Sequence, residues 1–231
     1  MNATLDITFT WQTTSPLSIH TGAARAGGVD RAVRMRRAIN ESIGVNQGRP
    51  ELPGEAIKAA IREAAERILR WRQVPFASEE TDARSIPRHP ALARLFAPQW
   101  TATRSTARYW FHSSLATEHT PFETTSTSID PQTGIALEST LRSVELWNFP
   151  IDFKVEIDAL GGDWSPRNPD REDLFLLLMA ITAVDSIGGA WGTGRGEVKL
   201  TSLTVSGESI HFDLTKPFDS SLPAWLTQQD A

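Results

Sequence analysis

Cysteine is missing from the 231-residue chain, which removes disulfide frameworks, thiolate zinc sites and cysteine nucleophiles and fits a reducing compartment. Long apolar runs are missing as well. Each apolar stretch is short or interrupted by charge, so none can span a bilayer. The opening MNATLDITFTW lacks the basic segment and apolar core that export requires, and the expectation is a soluble, cytoplasmic protein. Metal-ligand spacing is also lacking, because His20, His89, His112, His119 and His211 are scattered, which speaks against a zinc site. His20, beside a long loop, is the one histidine placed to help a proton transfer; packing at a strand end is its plainer reading.

With 40% hydrophobic and 22% charged residues, the chain can bury one sizeable core, and a single domain over residues 1–231 is expected. The net charge of -5 would oppose nucleic-acid binding if it were spread evenly, since phosphate binding draws on clustered cations. It is not spread evenly. Between residues 23 and 49, Arg25, Arg31, Arg34, Arg36, Arg37 and Arg49 face only Asp30 and Glu41. A solvated loop would show the same composition.

Leu5, Ile7, Phe9 and Trp11 alternate with polar residues, the pattern of a half-buried strand over residues 3–11, and a second short strand is expected at Leu17 to His20. From residue 21 to 53 glycine and proline break every period, which gives a long basic loop. GEAIKAAIREAAERILRW, residues 54–71, is the strongest helix, with Ile57, Ala60, Ile61, Ala64, Ala65 and Ile68 as its apolar stripe. Its start after Pro53 and Gly54 leaves amides at the positive end of the dipole. Lys58 and Arg62 add charge there, a phosphate cradle or an ordinary helix cap.

Residues 73–128 yield no firm elements and look like an insertion. The turn IDPQTG, residues 129–134, leads to a hairpin whose second strand carries Ile151, Phe153, Val155 and Ile157. A buried helix follows from about Asp170 to Ile187, then the loop GGAWGTGRG, residues 188–196, then strands near 198–205 and 209–214. That loop is no Rossmann motif, because a helix precedes it and a strand follows. The element order matches an α+β fold with a ferredoxin-like (RRM-like) core carrying long loops.

Four stretches in order, LSIHTGAARAGGVD, PELPGEAIKAAIRE, SIDPQTGIALESTLRSVE and IGGAWGTGRGEV, resemble the RAMP superfamily, in particular the backbone-type guide-RNA-binding subunit of type III CRISPR effector complexes. The resemblance covers about residues 5–200. It implies partners: a guide RNA (crRNA), a complementary target RNA, other effector subunits and further copies of the same chain, with no membrane. It places Pro53, Gly54, Lys58 and Arg62 at guide-binding positions and Gly188, Gly189, Gly192, Gly194, Arg195 and Gly196 in a glycine-rich stretch beside the RNA. Ile129 and Thr133 fall in a thumb-like hairpin that wedges between bases, within an insertion spanning 73–150. Arg25, Arg31, Arg34 and Arg36 belong to the RNA-facing loop. Asp30 matches the aspartate needed for cutting target RNA with a divalent metal, Mg or Mn. An aspartate that merely steadies its loop by pairing with arginine is the plain alternative.

The family pattern is not fully kept. Glu55 and Ala56 replace a usual serine pair, which brings a carboxylate near a phosphate position, and Ala59 replaces a usual glycine. Two other roles remain open on the same resemblance: a non-catalytic structural or capping subunit, and a metal-independent guide-processing endoribonuclease that relies on histidine.

Overall fold

The alternation near the N-terminus becomes the centre of the protein. The computed structural model describes residues 3–20, 35–36, 49–71, 90–96, 108–117, 119–138, 140–162, 169–188, 194–207 and 211–213. In chain order the elements are β1 (Ala3–Thr13), β2 (Met35–Arg36), β3 (Arg49–Leu52), α1 (Gly54–Trp71), α2 (Pro90–Phe96), β4 (Tyr109–Phe111), β5 (Ser114–Leu115), β6 (Pro121–Ser126), β7 (Arg142–Trp147), β8 (Asp152–Gly162), α3 (Pro169–Ala183), β9 (Val198–Gly207) and β10 (His211–Asp213).

The main sheet runs β10-β9-β1-β8-β4, with each neighbouring pair antiparallel. Taken as β1-α1-β4-β8-α3-β9, it is the βαββαβ unit with spatial order fourth, first, third, second. The fold is therefore α+β with a ferredoxin-like core. Leu5, Ile7, Phe9 and Trp11 are fully buried and lie opposite Ala159, Ile157, Val155 and Phe153 of β8. On the other side Ile7 and Phe9 face Val205 and Leu203, and a one-residue register shift at Thr201 sets Leu200, rather than the threonine, opposite Trp11. Since side chains alternate with period two, that bulge keeps the apolar set of β9 on the core side.

Helix α1 buries Ile57, Ile61, Ala64, Ala65 and Leu69, with Ala60 and Ile68 partly covered, against α3. Two amides of its first turn, those of Ala56 and Ile57, donate to the Pro53 carbonyl at 3.0 Å each. Helix α3 is apolar on nearly every side because α1, α2 and the sheet surround it. Helix α2 buries Leu92, Leu95 and Phe96, stacks Phe96 on Phe111 with centroids 6.1 Å apart, and clasps α3 through Arg94. The guanidinium reaches both oxygens of the buried Asp173 carboxylate at 2.6 and 2.8 Å.

Several sequence expectations change. Leu17 to His20 is no strand; Leu17 makes only an isolated bridge to Trp147. Within the stretch read as a loop, β2 pairs with β3, and β3 pairs with β5. The region read as an insertion supplies β4, a member of the main sheet. The strand holding Phe153 to Ile157 is β8, which begins just after Ile151 and pairs with β1, not with the turn's hairpin, which is built from β6 and β7 instead. Helix α3 stops at Ala183 because the residues after it pair elsewhere: the Ile187 amide donates to the Gly196 carbonyl at 2.8 Å, and the Val198 amide to Asp185 at 2.9 Å.

Candidate nucleic-acid interface

The end of the main sheet where β1 finishes gathers three of the regions singled out by sequence. The segment after β1 is held from both sides. Toward β9, the Thr14 amide donates to Glu197 at 2.8 Å, the Glu197 amide to the Ser15 hydroxyl at 2.8 Å, and the Gly196 amide to Pro16 at 2.9 Å. Toward the hairpin, Leu17 and Trp147 exchange backbone hydrogen bonds at 2.9 and 3.0 Å. His20 Nε2 lies 3.2 Å from the Glu145 carbonyl and Nδ1 3.4 Å from the Ser18 hydroxyl. A neutral ring that donates from Nε2 and accepts at Nδ1 satisfies both contacts. His20 thus ties the segment to the root of the hairpin.

Two glycines make this junction possible. At Gly196, with φ +75°, a Cβ would stand 2.1 Å from the Ile187 carbonyl oxygen; at Gly188, with φ +82°, 2.5 Å from that of Ser18. No side chain fits either place, and left-handed backbone disfavours one anyway. Gly194 also has positive φ, +70°, but faces open space, and Arg195 beside it is half-buried. The loop root is therefore fixed while Gly194 stays accessible. Gly189 and Gly192 lie outside the described residues, as do Asp30, Arg25, Arg31 and Arg34. Arg36 is placed by its backbone alone, opposite Arg49 in the β2–β3 pair.

The start of α1 approaches the same end through β3 and β5. Here one expectation is corrected. The Gly54 amide does not face outward to a phosphate; it donates to the Ser113 hydroxyl at 3.2 Å. A Cβ at Gly54 would stand 2.2 Å from the Phe111 carbonyl oxygen, so this glycine lets the helix start pack tightly on β4. The cations one turn on remain. Burial first, and then the Arg62 charge, hold the Lys58 ammonium below the usual lysine range, with Glu55 opposing them. Arg62 is half-exposed and 3.0 Å from Glu66. Two neighbouring cations that repel each other favour an anion between them.

The hairpin of β6 and β7 carries the turn IDPQTG at its tip. Asp130 organises it: one carboxylate oxygen accepts the Gln132 amide at 2.8 Å, the other the Thr133 hydroxyl at 3.0 Å, and the Asp130 carbonyl accepts the Gly134 amide at 2.8 Å. Led by the Gln132 amide, these donors hold the carboxyl below its ordinary range. Ile129 bridges to Ala136, and the Thr127 and Thr140 hydroxyls meet at 2.8 Å. On this tied frame Ile129 is 61% and Leu141 71% exposed, with Ile135 and Leu137 exposed beside them. Sequence reasoning named Ile129 and Thr133 but missed Ile135, Leu137 and Leu141. Their signal was an aliphatic run flanking a turn of polar residues.

A family model of the RAMP superfamily matches residues 12–199. The chain belongs to the RAMP superfamily. No curated protein matches it. Membership suggests a CRISPR-associated RNA-binding subunit, and the RAMP match, from Gln12 in β1 to Lys199 in β9, takes in the junction, the start of α1 and the hairpin. Among the described residues of this RAMP protein, no group of three or more His, Asp or Glu side chains could hold a metal ion, and no helix is long and apolar enough to cross a membrane.

Proposed function

We propose that this RAMP subunit is a backbone-type subunit of a type III CRISPR effector complex: several copies line up along a guide RNA, and each cuts the paired target RNA through Asp30. The observation that carries RNA binding is the hairpin tip. Aliphatic side chains left in water on a structured turn are costly unless a partner covers them, and the flat face of an unstacked base is such a partner. Lys58 and Arg62 supply charge for the backbone that links the bases, and Gly194 leaves room for close approach.

For cleavage, the ribose 2′-hydroxyl attacks the adjacent phosphorus and the 5′-oxygen leaves with a proton, giving a cyclic phosphate and a 5′-hydroxyl. In this reading Asp30 orients the 2′-hydroxyl while Arg31 or Arg34 stabilises the charge on phosphorus. Asp30 would hold the divalent ion, Mg or Mn, which would add positive charge beside the reacting phosphate.

Labelled single-stranded RNA should bind with strong salt dependence. Lys58→Ala and Arg62→Ala should each weaken binding and lower the salt slope by about one, whereas Ile129→Ala should weaken it with the slope unchanged. RNA affinity that ignores all three changes would sink the interface. In the assembled complex, Asp30→Ala should keep RNA bound and stop cutting, as should EDTA until Mg or Mn is restored. Cutting that persists in the variant removes the catalytic claim. Glu55, exposed on the first turn of α1 and acting on Lys58, favours a second reading, a structural or capping subunit that binds the guide without cutting.

A further inference from the structure

The main sheet has two unlike faces, because successive side chains of a strand point opposite ways. One face holds the core and the helices. On the other, the register aligns Asp6 of β1 with Asp158 of β8, and Asp158 with Trp110 of β4. Leu160, two residues along β8, lies diagonal to Trp110, within reach of an aromatic side chain across the strands. Trp110 is 63% and Leu160 54% exposed, so a large apolar pair stands in water beside carboxylates.

The charge around the pair is negative. Asp6, Asp158 and Glu156 all point outward here, with Lys154 3.3 Å from Glu156 and His112 Nε2 2.8 Å from Asp158. An RRM-like sheet that takes single strands on this face offers aromatics together with cations. This face has the aromatic, but its carboxylates repel phosphate. Its Asp6 end is also set off from the junction at the end of β1: Asp6 is seven residues before Thr13, roughly 23 Å at the usual rise of a strand.

We infer that the outer face of the main sheet is a protein-docking surface. Its occupant is a protein segment that presents an apolar side chain flanked by Lys or Arg. Trp110 and Leu160 form the anchor, of the kind that carries most of an interface's energy, and Asp6, Glu156 and Asp158 form a rim that selects basic partners and steers them. This surface goes beyond guide binding, and its argument does not rest on it.

The test uses the full chain, a fluorescein-labelled amphipathic Lys/Leu peptide, its Glu/Leu counterpart and labelled oligouridine. The Lys/Leu peptide should bind and the Glu/Leu peptide should not. Trp110→Ala, which leaves the net charge unchanged, should weaken Lys/Leu binding about tenfold or more and leave oligouridine affinity as it was. Asp6→Asn combined with Asp158→Asn should flatten the salt dependence of peptide binding. Equal binding of the two peptides, an unchanged peptide affinity in Trp110→Ala, or a loss of oligouridine binding in that variant would each overturn the assignment. Self-association in sedimentation velocity that Trp110→Ala abolishes would give the face to a second copy of the chain, and would overturn the basic partner equally.

Discussion

In the main sheet, apolar side chains at every second position are sealed from water, while at the tip of the β6–β7 hairpin Ile129, Ile135, Leu137 and Leu141 stay outside and the polar residues beneath them are tied together. Phe9 makes an edge-to-face contact with Trp11 at 4.8 Å between centroids, and both are fully buried. Leu141 stands in solvent one residue before β7 begins. The sheet is held by removal of apolar area from water and the hairpin tip by local hydrogen bonds. Stability and binding are thus carried by different residues of similar type, and mutation can pull them apart.

The widest separation should come from Phe9→Ala against Leu141→Ala. The first opens a cavity beneath β1 and should cost about 3–5 kcal/mol in denaturant unfolding; the second should stay within about 0.5 kcal/mol while weakening RNA binding. Equal costs would mean that the hairpin tip packs on the core in solution. Next come two glycines of one loop that share the left-handed backbone but not the surroundings. Gly196→Ala should cost about 3 kcal/mol or more, because the new Cβ meets the Ile187 carbonyl as well as the strained φ. Gly194→Ala, with φ alone against it, should cost about 1–2 kcal/mol. Similar losses at both would mean that the loop root shifts freely, against the close approach at Gly196.

The same contrast explains what sequence could reveal. Leu5, Ile7, Phe9 and Trp11 disclosed β1 because a half-buried strand imposes period two, and Ile57, Ile61, Ala64 and Ala65 disclosed α1 because a one-sided helix imposes its own period. Strand β4 stayed hidden: Tyr109-Trp110-Phe111 is too short to show a period, and its place in the sheet comes from pairing with β8, far along the chain. The strands of the expected hairpin escaped for another reason. PFETTS in β6 is mostly polar, and Ile135, Leu137 and Leu141 look like core residues until the fold leaves them uncovered. Nor does sequence tell Gly54, pressed on the Phe111 carbonyl, from Gly194, which faces open space. Of the candidate site, the basic pair Lys58 and Arg62 and the turn around Asp130 were legible; the junction of residues 13–20 with Gly188 and Gly196 was not, since it is made by contacts more than a hundred residues apart in sequence.

A middling effect is expected at the clasp between α2 and α3. Arg94→Ala leaves the Asp173 carboxylate buried without its guanidinium, a change worth about 3–5 kcal/mol for a sealed pair; with Arg94 itself half-exposed, about 1–2 kcal/mol is expected after solvent screening. The pH dependence carries the signature. Burial raises the Asp173 carboxyl above the ordinary 3.8, and the Arg94 hydrogen bonds oppose that rise. The folded state therefore holds this proton more tightly than the unfolded chain. Its contribution to stability is full below the ordinary value and is lost as pH rises through the raised one. Without Arg94 the raised value climbs further, so the deficit of Arg94→Ala should widen from acid to neutral buffer. A deficit independent of pH would mean that the clasp acts through packing alone.

The smallest effect on unfolding should be at Asp130, whose fully exposed carboxylate touches only its own turn. Asp130→Ala should leave the melting temperature in place yet speed hydrogen exchange at the Gly134 and Leu137 amides, which close the turn and its neck. Because the folded carboxyl sits below its ordinary value, the order it supplies is present above that value and is lost as pH falls through the depressed one. Exchange at those two amides, corrected for its intrinsic pH dependence, should accelerate in that acid range in the parent protein and show no such step in Asp130→Ala. If the tip's purpose is to hold aliphatic side chains ready for a base, the variant should also bind RNA more weakly while its salt slope stays the same, since no cation is lost. A slope that changes instead would mean that the turn governs the placement of charge, and that the apolar tip is not where the bases are gripped.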